Sequence, residues 1–66
     1  MQTSLTREQV EKIGVALNNN QRYGWIQNLS SISKISTVTI RRWIENSEQC
    51  SGFYAVWLQL LVKIKG

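Results

Sequence analysis

Residues 25–46 read WIQNLSSISKISTVTIRRWIEN, and the placement of apolar side chains in this stretch decides the fold. Trp25, Leu29 and Ile32 recur at helical spacing, and so do Ile40, Trp43 and Ile44. The first set predicts a helix beginning near Gly24. The second predicts another starting after Ser36, whose hydroxyl can cap it, and stopping at Asn46, a residue suited to left-handed geometry. Leu29 and Ile35 then face a core across a tight turn, with Ile40 and Trp43 anchoring the second helix three residues apart. Ser30 supplies a small side chain where the two helices cross. The β-branched run Ile35–Ile44 also suits a strand, but no Asn-Gly or Asp-Gly pair offers a hairpin turn. Two short helices account for the pattern better.

Outward from this stretch the chain continues as helix. Thr6 followed by Gln9 fits a capping box, and Val10, Ile13, Val15 and Leu17 follow, with Gly14 as a weak point. Asn18-Asn19-Asn20 ends that first helix, because short amides tolerate left-handed backbone. Residues 46–52 read as a loop. A last helix starts at Ser51 or Gly52 and runs through Phe53 to about Lys63, ending on Lys63 and Lys65, which favour a helix C-terminus.

Sixty-six residues support one compact domain, 1–66, with no internal repeat. The chain has no His, no Asp, four Glu and a single Cys. Those counts leave little from which to build an active site, and they cannot supply a structural zinc or an internal disulfide. No enzyme, metal or cofactor is therefore expected. Cys50 reads as a small buried apolar residue. No signal peptide opens the chain, and the apolar run Phe53–Val62 is too short to cross a bilayer, so the expected compartment is the cytoplasm. There the Asn28-Leu29-Ser30 sequon has no meaning.

Along the sequence, the net charge of +4 is concentrated in the middle. Arg7 and Lys12 are offset by Glu8 and Glu11, and Lys63 and Lys65 by Glu45 and Glu48. The excess is Arg22, Lys34, Arg41 and Arg42, in a segment free of acidic residues. Such a cluster suits a polyanion, although a basic solvated face would look the same.

Two helices across a tight turn, the second basic, describe a helix-turn-helix. Leu5-Thr6-Arg7-Glu8, the aromatic Trp25 and the run Thr39-Ile40-Arg41-Arg42-Trp43 together resemble helix-turn-helix regulators of the phage Cro and repressor type. Some anti-CRISPR-associated autorepressors are similar in size and layout. The resemblance implies an all-α, four- to five-helix domain of the lambda repressor-like kind; the last helix, at about 52–64, is expected to dimerise on the strength of its own apolar residues. Three positions depart from the family pattern. Lys34 stands where Gly is usual in the turn, at a cost of about 1 kcal/mol if the backbone there is left-handed. Ser33 replaces an aliphatic residue. Ile26 falls where a phosphate-holding Gln is common, with Gln27 as its substitute.

The roles follow from position. Arg41 and Arg42 match guanine or phosphate; Thr37 can hydrogen-bond a base, and Val38 can meet a thymine methyl. Ser36 and Thr39 are phosphate candidates, with capping as the alternative for Ser36. Lys34 and Arg22 suit backbone phosphates, and Tyr23 can donate to one or be partly packed. Trp25 and Trp43 belong to the core rather than to a base-stacking platform. The last helix is apolar on nearly every side, which implies burial on two faces. Trp57, Leu58, Leu61 and Val62 are assigned to a homodimer interface, although a central helix in a tight monomer fits the same pattern. The resulting expectation is a homodimeric transcriptional repressor on an inverted-repeat operator of double-stranded DNA. By resemblance it occludes its own promoter. The alternative is a protein-interaction module, antitoxin-like or inhibitory, that grips a partner through the apolar last helix.

Overall fold

The computed structural model describes residues 2–46 and 48–65, the last of these by its backbone only. In chain order these are β1 (Ser4–Leu5), α1 (Arg7–Leu17), α2 (Trp25–Ser33), α3 (Thr37–Glu45), β2 (Cys50–Ser51) and α4 (Phe53–Lys65). The protein is mostly helical, with one small two-stranded sheet.

Each helix start and stop has a local chemical cause. At α1 the capping box is complete: the Thr6 hydroxyl accepts from the Gln9 amide at 3.2 Å, and the Gln9 side chain accepts from the Thr6 amide at 2.9 Å. Asn19 and Asn20 both take left-handed backbone after α1. The Asn18 side chain bridges that turn by donating to the carbonyls of Gln21 and Tyr23. At α3 the Ser36 hydroxyl accepts from the Val38 amide. Asn46 closes α3 at φ −99° and ψ 3°, so it is not the left-handed stop that its amide side chain suggested.

The junction of α2 and α3 is held by hydrogen bonds. Lys34 is left-handed at φ 66°, and its amide donates to the Ser30 carbonyl. Ser33, where an aliphatic residue is usual, is buried but satisfied. Its hydroxyl donates to the Leu29 carbonyl at 2.6 Å and accepts from the Ile35 amide at 3.2 Å. Its carbonyl takes the Trp57 indole N–H at 2.9 Å, which ties the turn to α4. The Ser30 hydroxyl donates across the turn to the Ile35 carbonyl.

The core gathers Leu5, Val10, Trp25, Leu29, Ile35, Ile40, Trp43, Cys50, Ala55, Leu58 and Leu61 from every element. Leu29, Ile35, Ile40 and Trp43 are buried as their spacing required. Residues 48–52 are not simply a loop. Leu5 pairs with Cys50 and Ser4 with Ser51 in antiparallel register, and α4 begins after Gly52, whose φ is 62°. Burial pushes the Cys50 thiol up from its ordinary 9.0 to about 11, so it stays protonated and inert near neutral pH. No described helix is long and apolar enough to cross a membrane.

Two residues assigned to a dimer interface are corrected here. Leu58 and Leu61 are buried in the core of a single chain, on the side of α4 that also carries Ala55. Trp57 and Val62 are half-buried, with the Trp57 indole committed to the Ser33 carbonyl. A helix apolar all round gives no periodic signal for its core side, which is why Leu58 and Leu61 look like surface positions in the sequence.

Candidate nucleic-acid interface

Helix α3 has one anchored side and one open side. Ile40 and Trp43 are buried, with the Trp43 ring meeting Tyr54 edge-on at 5.4 Å. Val38, Arg41, Arg42 and Glu45 are exposed, and at 100° per residue they share an arc of about 100°. Val38 is 59% exposed. A rigid helix thus presents two guanidinium forks and one apolar side chain outward. Glu45 stands on the same face and was not singled out from the sequence. An α-helical count from Arg41 (i, i+4) would have placed it there. A carboxylate at that position can accept from a cytosine amine or hold a neighbouring arginine in place.

The second group forms where α3 meets the start of α2. Arg22, Tyr23, Gln27 and Arg41 line an open cleft of about 320 Å³, together with residues 24–26. The first turn of α2 has no side-chain cap, since Gly24 occupies the N-cap in left-handed geometry. The Trp25 amide turns back to the Arg22 carbonyl at 3.4 Å, so the donors at the cleft are the side chains of Arg22, Tyr23, Gln27 and Arg41 beside the positive end of the α2 dipole, a set suited to an anion. Tyr23 is 95% exposed, which settles its two readings against packing. Of the residues named from the sequence, Arg41 belongs to both groups.

Other assigned residues lie elsewhere. Thr37 is half-buried at the start of α3. Lys34, Ser36 and Thr39 line a separate groove of about 420 Å³ with Phe53, Tyr54 and Trp57. The Ser36 hydroxyl already serves as a cap, the simpler of its two readings. Arg22 is paired with Glu11 at 2.7 Å, so its charge is offset from α1. Cancelling charges by proximity in sequence missed this, because the pair spans eleven positions and depends on how α1 packs. The central excess thus rests mainly on Lys34, Arg41 and Arg42.

No family model matches the chain, and neither does any curated protein or solved structure with which it was compared.

Proposed function

We propose that the protein is a lambda repressor-like helix-turn-helix regulator that binds double-stranded DNA as a homodimer and represses transcription. The observation that carries this reading is the open side of α3. Val38, Arg41 and Arg42 project together from a helix whose opposite side is locked into the core by Ile40 and Trp43. Side chains held this way can enter a major groove without losing the order that specific contacts require. Arg42 and Val38 are the base readers, with Thr37 at the rim. Arg41 spans from the groove to the cleft at α2, where Arg22, Tyr23 and Gln27, beside the positive end of the helix, would hold a phosphate and fix the register. Two such surfaces related by a two-fold axis fit half-sites roughly 34 Å apart. Occlusion of a promoter, its own by preference, would make the protein a repressor.

The test is titration of wild type and the Arg41→Ala/Arg42→Ala variant against the duplex upstream of its reading frame and against scrambled duplex. Wild type should discriminate between the two, and the variant should lose about 1–3 kcal/mol per arginine, on the order of ten- to a hundredfold each. Equal binding of both duplexes would refute sequence-specific recognition. Unchanged affinity in the variant would favour the alternative, an interaction module that works through α4.

A further inference from the structure

Helix α4 carries a second apolar stripe, on the side away from its core residues. Phe53, Trp57, Leu60 and Ile64 follow at intervals of four, three and four, the spacing of a coiled-coil seam. Phe53 is 76% exposed and Ile64 is 74% exposed, at the two ends of the stripe, with Trp57 and Leu60 half-buried between them. The stripe is about 16 Å long at 1.5 Å per residue. It is flanked by half-buried Val56 and exposed Lys63 on α4, and exposed Lys34 lines one groove with its Phe53 end.

We infer that this stripe is the surface through which two copies of the chain associate, with their α4 helices antiparallel. The spacing is the same read in either direction. Reversing the helix exchanges position 53 with 64, and 57 with 60. Under a two-fold axis Phe53 therefore meets the partner's Ile64, and Trp57 meets the partner's Leu60. Each ring lies against an aliphatic side chain, the self-complementarity that a closed isologous interface requires. A parallel pair would instead stack Phe53 on its own copy and set the two Lys63 ammonium groups side by side. The antiparallel pair holds those lysines about 13 Å apart along the axis and opposes the helix dipoles. Residues 53–62 carry no charge to select a differently charged partner.

The area sets the strength. Large side chains offer about 150–250 Å² each, so two that are three-quarters exposed and two half-buried give on the order of 400 Å² per copy. That is about half of what a standard stable interface buries on each side. The dimer is accordingly weak alone and is completed when two copies occupy adjacent half-sites. This inference refines the homodimer of the preceding reading, and its test uses no DNA, so either can fail without the other.

Sedimentation equilibrium of the full chain, from low micromolar to near-millimolar concentration, reads the association directly. The mass should rise from 7.6 kDa toward twice that value. Leu60→Glu and Ile64→Glu should each hold it at the single-chain value with unchanged helical circular dichroism; Ile64 is too exposed for its replacement to unfold the protein. Direction is read by oxidative cross-linking. A mixture of Phe53→Cys and Ile64→Cys chains should join, and Ile64→Cys alone should not. A single-chain mass at every concentration, a dimer indifferent to both glutamates, or self-joining of Ile64→Cys would each overturn the proposal.

Discussion

Gly14 shows how a single missing carbon can serve packing at the expense of helix propensity. It lies inside α1, where alanine would ordinarily gain about 1 kcal/mol over glycine. A Cβ there would stand 2.2 Å from Cε3 and 2.6 Å from Cζ3 of Trp25, an indole that is itself buried at the start of α2. The ring can retreat only by moving α2, so overpacking at about 1–3 kcal/mol or more outweighs the propensity gain. Gly14→Ala should therefore destabilise the protein by about 2 kcal/mol and lower its melting temperature by roughly 10 °C. Urea denaturation followed by circular dichroism checks this, and a stabilised variant would mean that Trp25 does not press on α1. The sequence showed Gly14 only as a flaw in a helix. Its partner lies eleven residues on, in the next helix, and nothing local to α1 marks it.

At the scale of elements, the turn between α2 and α3 would join stability to the proposed DNA binding through Lys34. Left-handed backbone costs a β-carbon residue about 1–2 kcal/mol, partly returned by the lower entropy of its unfolded chain. Lys34→Gly should stabilise the protein by about 0.5–1 kcal/mol while weakening its affinity for DNA, because an exposed cation at the turn is lost. Opposite signs in a melting curve and a DNA titration on one variant are the outcome to look for. The same turn shows what was legible beforehand. Leu29, Ile35, Ile40 and Trp43 carry a strong local pattern, and both the boundaries and the buried faces of α2 and α3 follow from it. The cost at Lys34 was legible too, since only its backbone geometry was in question. Ser33 was not, because its hydrogen bonds to Leu29 and Ile35 and the indole of Trp57 turn an apparent defect into a junction. The β1–β2 pairing was hidden for a related reason: Leu5 and Cys50 meet across the whole fold, in a ladder too short to leave an alternating pattern. In α4 the difficulty was excess of signal, with apolar residues on both faces, and only burial separates Leu58 and Leu61 from Phe53 and Ile64.

On the scale of the whole molecule, size and charge together set how the protein would meet DNA. Its longest dimension is 24 Å, which spans about seven base pairs at 3.4 Å each, so on the proposed reading one chain would cover one half-site. Affinity for a full operator then depends on two copies and on the cations each brings. Lys34, Arg41 and Arg42 bring six cations per dimer to the polyanion, each displacing a counterion whether it meets a base or a phosphate, if Arg22 stays with Glu11. Counterion release then predicts a slope of about −5 in a plot of log affinity against log salt concentration. The Arg41→Ala/Arg42→Ala variant retains two such charges per dimer, and its slope should fall to about −2. An exposed ion pair is worth only about 0–1 kcal/mol, less than a phosphate contact can return, so Arg22 is free to change partners on DNA. Its release would steepen the wild-type slope to about −7, and Glu11→Gln would then raise affinity without altering that slope. A wild-type slope near −5 that Glu11→Gln steepens to about −7 would mean that the pair persists in the complex and holds Arg22 away from the phosphates; a slope near −5 in both would mean that Arg22 does not reach a phosphate at all.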